Sequence, residues 1–290
     1  MPALEATAST EKTVSFQRYY EEAGPDYAAW SPHFNMHFGY FRRGMNPFNR
    51  EPMLEQMNRE ILRRLRLDPG TPSRVLDMGC GLGATLRSFA RQLPQAELHG
   101  ITLVPWQLEQ GLRLHRDRGI DLTLGDYEHT AYPANSFDAV YAVESSCYAT
   151  GANKSAFLRE AHRLLRPGGR IVIADGFLGT GKLRGPQRSI LRRLCECWAI
   201  DTLGEIEPVT RELVRLGFTE ITVEHAQARV TPSVLHVPWV TLRFLFATLL
   251  FSKRRMTRAR WNNVLAPILL PFVGYPIGPM AYYIVSATRA

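Results

Sequence analysis

Arg74-Val75-Leu76-Asp77-Met78-Gly79-Cys80-Gly81-Leu82-Gly83 is the stretch that decides the fold. RVLDM is an apolar run of strand length. Three glycines at alternate positions then lead into LRSFARQL, which has a helical composition. Glycine permits a tight turn and lets a ligand approach the backbone, and a helix start presents free N–H groups. A dinucleotide loop of the G-x-G-x-x-G type also needs a carboxylate at the end of the next strand to hold the ribose. Here the spacing is G-x-G-x-G, and the next strand, AELHGITL (96–103), ends without an acidic residue. The loop therefore points to a ligand other than a dinucleotide.

Outward from the loop, short apolar runs alternate with helical ones. DLTLGD (121–126), SFDAVYAVES (136–145) and RIVIADGF (170–177) read as strands. PWQLEQGLRLHRDRG reads as a helix, and SAFLREAHRLLRPGG as a helix with a glycine stop. FTEITVEHA (218–226) and AYYIVSATR (281–289) complete the set. The alternation predicts an α/β fold: a Rossmann-like, doubly wound, seven-stranded, mostly parallel sheet with helices on both faces. Runs such as RIVIA and DAVYAV suit strands buried on both sides.

The remaining segments suggest a disordered tail over 1–14, an aromatic-rich N-terminal helical cap over 15–70, and a core over 71–228 with a substrate cap around 179–207. An apolar and basic lid insertion follows over 229–280, and a final core strand over 281–290. The uncharged stretch Asn262–Ser286 carries Pro267, Pro271, Pro276 and Pro279, which should interrupt a helix and argue against a membrane span there.

With 290 residues, 45% of them hydrophobic, the chain can bury one sizeable core. Its net charge of +8 favours phosphate, diphosphate or anionic lipid surfaces. No recognition-helix, zinc-finger or RNP-type pattern accompanies that charge, which argues against nucleic acid. The basic groups Lys182–Arg193 and Lys253–Arg260 read either as solvated faces or as contacts for a diphosphate or a lipid surface beside FLFATLLF (244–251). Cys80, Cys147, Cys195 and Cys197 lack metal-site spacing and suit free thiols in a reducing compartment. The N-terminus lacks a secretory pattern. The expectation is a cytoplasmic protein, monomer or homodimer, with peripheral membrane contact as an option and no metal.

Taken in order, VLDMGCGLG, the Gly125-Asp126 pair, NSFDAVYAVES and LLRPGGRIVIAD resemble the signature blocks of class I S-adenosylmethionine-dependent methyltransferases, over roughly 74–178. The resemblance implies S-adenosyl-L-methionine as cofactor and S-adenosylhomocysteine as product. It implies that Asp77, Gly79 and Gly81 line the methionine end, with Cys80 (a small filler and no nucleophile) and Gly83 in the same loop. Asp126 and Tyr127 would lie near the adenine. GITLVPWQ departs from the acidic strand end of most members and is similar to the same segment in cyclopropane-fatty-acid synthases and sterol- or tocopherol-type C-methyltransferases. That likeness assigns Thr102, Leu103 and Gln107 to the ribose and adenine side.

YAVESSCYA (141–149) resembles the segment after strand four in sterol C-methyltransferases, and residues 19–44 resemble the aromatic, acidic cap of that group. Methylating an alkene leaves a carbocation, which needs aromatic faces or a carboxylate to stabilise it and a base to take the departing proton. Glu144, at the carboxyl end of a parallel strand, is the first candidate for that base, beside the cofactor; His37 and Tyr20 are further catalytic candidates. Tyr40, Tyr148, Trp198 and Asp201 are candidates for the acceptor side. The expected reaction is methyl transfer to a carbon of an apolar isoprenoid, sterol-like or prenylated molecule. O- or N-methylation of a lipid or secondary metabolite, cyclopropanation of lipids, and a non-catalytic module binding the cofactor or its product remain open at this point.

Overall fold

The computed structural model describes residues 14, 16–115, 119–252, 254–274 and 276–290; the tail expected over 1–14 lies, but for Val14, outside them. Seven strands form one sheet: β1 (Arg74–Met78), β2 (Glu97–Thr102), β3 (Ile120–Leu124), β4 (Phe137–Val143), β5 (Leu165–Leu178), β6 (Phe218–His225) and β7 (Met280–Arg289). Their order is β3-β2-β1-β4-β5-β7-β6. β1 to β5 pair in parallel, and β7 runs antiparallel between β5 and β6. β1 has β2 on one side and β4 on the other, so the order in which strands are added switches sides of the sheet at this strand. Ligands of such sheets gather beyond the carboxyl ends at that switch point.

Both faces are covered over the central strands, which is why β1, β4 and β5 read as apolar runs and not as alternating ones. Leu76, Met78, Val140, Ala142, Ile171 and Ile173 pack with Phe157, Leu158 and Ala161 of α5 (Ser155–Leu164) and with Val209 and Leu213 of α7 (Ile206–Arg215). The intervening residues Val75, Ala139, Tyr141, Val172 and Ala174 pack on the other face. Their partners are Met57, Ile61 and Leu65 of α2 (Arg50–Leu65) and Leu86 and Phe89 of α3 (Ala84–Ala90). α4 (Pro105–His115) lies between β2 and β3. α2 stops at Arg66, which takes a left-handed conformation ahead of Asp68-Pro69-Gly70.

Three expectations need correction. The N-terminal cap is not helical throughout. A helix α1 (16–23) and a 3-10 turn (Gly24–Ala29) are followed by irregular chain until α2. Pro25, Pro32 and Pro47 cannot donate to a helix ladder, and the other donors go to distant elements. Phe38 N–H donates to Glu144, Gly39 N–H to Ser233 Oγ, and Phe41 N–H to the Arg229 carbonyl. At Gly39 a Cβ would stand 2.6 Å from the Met53 backbone, so only glycine lets the loop lie against α2.

The second correction concerns the predicted glycine stop after α5. The helix ends at Leu164 and the chain is extended from Leu165 onward, as expected of residues just ahead of Pro167. The third concerns Pro267 and Pro271, which do not break the chain but lie inside α10 (Arg258–Val273). They stand one turn apart and both line the same cavity, so the missing donors fall on one face. Before α10 come α6 (Gly185–Cys197), against which it packs, and α8 (Gln227–Val234) and α9 (Val237–Phe251).

Candidate active site

Two cavities meet beyond the carboxyl ends of β1, β2 and β4. The smaller, about 140 Å³, is walled by the glycine loop; the larger, about 430 Å³, is walled mainly by the cap, α8, α9 and α10. Tyr20, Met36, His37, Glu144 and Tyr148 belong to both walls.

The smaller cavity is built from the loop upward. Gly79 holds φ +101, and a Cβ there would come within 2.4 Å of Ser145 Cβ. The N–H groups of Gly79 and Cys80 both donate to the Ile101 carbonyl, pinning the loop to β2. Asp77, Gly79, Cys80, Gly81, Thr102, Leu103, Gln107, Asp126 and Tyr127 all line this cavity. Asp77 is buried at the end of β1, and burial pushes its carboxyl up to about 7. A carboxylate so poorly solvated gains strongly from a nearby ammonium, which fits the amino group of a methionine moiety. Thr102 Oγ1 donates to Gln107 Oε1 at 2.6 Å, leaving the amide end of Gln107 as a donor for a diol. Tyr127 donates to the Ser145 carbonyl, and Asp126 Oδ1 accepts from the Glu128 N–H at 2.8 Å. Burial pushes the Cys80 thiol well up, which suits a filler and not a nucleophile.

Glu144 follows β4 in a left-handed conformation, φ +49. That backbone is unfavourable for a residue with a Cβ, and such positions concentrate at functional sites. Its Oε1 accepts from Phe38 N–H at 2.6 Å and from Tyr282 Oη at 3.0 Å, while Oε2 has no protein partner among the described residues. Burial, reinforced by Asp175, pushes the carboxyl up to about 8 against the two hydrogen bonds that lower it. Around it stand aromatic rings. Tyr20 Oη and Tyr148 Oη are 2.8 Å apart, Phe16 packs edge-on to both, and Tyr27 stacks on Tyr20.

Other sequence candidates fall elsewhere. Gly83 is not in the cavity wall; it starts α3 with φ +70, and its Cβ position faces His115. Tyr40 lines neither cavity, because Tyr40 N–H is drawn to the Met53 carbonyl and its hydroxyl donates to Glu224 of β6. Asp201 lies exposed beyond α6, outside both walls, whereas Trp198 lines the larger cavity. His37 is in both walls, but its Nδ1 lies 2.9 Å from the Phe38 carbonyl and its Nε2 3.0 Å from Asn58 Oδ1. With a carbonyl beside one ring nitrogen and an amide oxygen beside the other, its ring is held by the cap and α2, so it anchors the cap and is poorly placed to move protons. Sequence reasoning missed Tyr282, which orients Glu144, and Asp175, which accepts from Ser146 Oγ and Cys147 N–H. Asp175 had a signal, a lone acid at the end of the apolar run RIVIA.

Comparison with known proteins agrees with this geometry. Residues 76–173 match the family described as a methyltransferase domain. The chain is 31% identical to Methyltransferase GfsG of Streptomyces halstedii over 69% of its own length and 73% of that protein. It is 33% identical to the cycloartenol-C-24-methyltransferase of Arabidopsis thaliana, over 54% of this chain and 45% of that one. Among solved structures, the cyclopropane synthase MmaA2 from Mycobacterium tuberculosis superposes with a TM-score of 0.79 at 18% identity, covering 96% of this chain and 98% of that one, a likeness of fold. A glycine loop that a Cβ would close, a buried acid at the end of β1 and a methyltransferase relative covering 69% of the chain agree: the chain belongs to the class I S-adenosylmethionine-dependent methyltransferases.

Proposed function

We propose that the enzyme methylates a carbon atom of a neutral, apolar isoprenoid or sterol-like acceptor, with Glu144 as the base. The single observation carrying this reading is the position of Glu144 in the wall shared by the glycine-loop cavity and the larger apolar one. The volume of the larger cavity falls within the range of sites that enclose a whole small molecule. No Lys or Arg lines it among the described residues, whereas Asp26, Glu144 and Asp175 do. Asp26 is paired with Arg260, and burial pushes the other two towards their neutral forms, so among the described residues this wall offers a diphosphate no free cation and suits a neutral acceptor. The sterol methyltransferase relative supports the same substrate class.

S-adenosylmethionine would supply the electrophilic methyl group: the acceptor's double bond takes it as the S–CH3 bond breaks, and S-adenosylhomocysteine is left. Asp77, the loop glycines and Gln107 would hold the donor, and the cap and lid would exclude water, which would otherwise capture a cation. Tyr20, Tyr27, Tyr148 and Trp198 line the acceptor cavity, and aromatic rings there would stabilise positive charge developing on the acceptor carbon. Glu144 Oε2 takes the proton from the carbon next to that cation, and the C–H electron pair re-forms the double bond. Tyr282 and the Phe38 N–H hold the carboxylate in place through Oε1. The test is a product analysis with prenyl, sterol and quinone-type acceptors. C-methyl products are expected, and exclusively O- or N-methyl products would overturn the reading.

A further inference from the structure

The face of α9 turned away from the cavity is unlike the rest of the surface. α9 is apolar on both sides. Val237 and Thr248 are buried, and Val240, Thr241 and Phe244 line the larger cavity, so this face has a partner. On the opposite face Trp239, Leu242, Phe246, Leu249, Leu250 and Phe251 are each more than half exposed. Scattered apolar residues on a surface are ordinary, but six on one helix face mark an interaction site.

Charge singles out the same region. Residues 225–290 contain eight Lys or Arg and no Asp or Glu, so the whole +8 of the chain resides there and residues 1–224 are balanced. Arg243 is exposed on α9, and Arg254, Arg255 and Arg258 are exposed just beyond its end. Arg254 is paired with Asp26; Arg243, Arg255 and Arg258 have no carboxylate partner among the described residues. The run Gln227–Phe251 is long and apolar enough by composition to cross a membrane. However, α8 is tied to the cap through Ser233 and to the core through Val230. That leaves the 15 residues of α9, fewer than the roughly 20 a span requires.

We infer that α9 is a membrane-docking element that lies on an anionic bilayer, its outer apolar face in the headgroup and acyl boundary and its flanking arginines on lipid phosphates. An apolar face bordered by cations matches such a surface. A second copy of the chain would bring two basic faces together and be repelled. Leu235 and Ile277 are exposed and also line the larger cavity, so the cavity opens beside this face. An acceptor dissolved in the bilayer enters there without crossing water. That entry step rests on the apolar-acceptor reading above; the docking does not.

The test is co-sedimentation of the whole enzyme with vesicles of phosphatidylcholine, with and without phosphatidylglycerol. The wild type is expected to pellet with the anionic vesicles. Leu242→Ser/Phe246→Ser/Leu250→Ser is expected to lose binding by at least about tenfold, and Arg243→Gln/Arg255→Gln/Arg258→Gln by about fivefold per arginine on anionic vesicles only. Both variants should bind S-adenosylhomocysteine like the wild type by calorimetry, which establishes that they are folded. A wild type that stays in the supernatant, a triple serine variant that binds as well as the wild type, or a wild-type dimer in sedimentation velocity that this variant splits would each overturn the inference. None of these measurements depends on which acceptor is methylated.

Discussion

The glycine loop and the α8–α10 segment are both apolar and glycine- or proline-rich, yet only the first was readable in detail from the sequence. In the loop each residue type answers to one local requirement. Gly79 must be glycine because Ser145 stands where its Cβ would go, and Asp77 must be an acid that tolerates burial. In α8–α10 apolar residues serve two masters, a cavity on one side and an exposed face on the other. Their spacing therefore carries no amphipathic period to read. The loop is specified by backbone geometry and the lid by bulk hydrophobicity, so substitutions in the two regions should fail in different ways.

The largest effect is expected where the regions meet. Glu144→Gln should lower methyl transfer by roughly 10²–10⁴-fold, the usual contribution of a positioned general base, with the dissociation constant for S-adenosylhomocysteine changed by no more than a few-fold. Stopped assays together with calorimetry check this. In the loop, Gly79→Ala should weaken cofactor binding about a hundredfold through backbone strain and the clash with Ser145, read by the same calorimetry. A normal affinity would break the contrast drawn above. In the lid, Val240→Trp, which fills the larger cavity, should raise the acceptor KM by about tenfold and leave cofactor affinity alone.

A further effect is on stability. The folded pKa of Glu144, about 8, stands above its ordinary value of 4.5, so ionising it opposes folding. The penalty is absent below about pH 4.5 and complete above about pH 8. Glu144→Gln should therefore gain Tm relative to the wild type as pH rises through this window, a trend that thermal scans would detect.

The strands themselves, the glycine loop and the place of Glu144 at a strand end could be read from the sequence because each is a local pattern: a short apolar run, a glycine spacing, an acid after an apolar run. Tyr282 could not be found that way. Tyr282 and Tyr283 are adjacent in a strand buried between β5 and β6, and alternation places them on opposite faces without saying which face meets the site. His37 and Tyr40 looked equivalent in FNMHFGY. Their roles diverge because the loop is irregular and its donors reach α2, α8 and Glu144. Pro267 and Pro271 were misread because a proline pair one turn apart can share a single unbonded face.

The most direct test of the account is the pH dependence of kcat/KM for the methyl donor, measured on the wild type and on Glu144→Gln. A carboxylate that must shed its proton in the free enzyme predicts activity rising with pH through an apparent pKa of about 8, and the loss of that inflection in the variant. A flat wild-type profile, or the same inflection in Glu144→Gln, would contradict it.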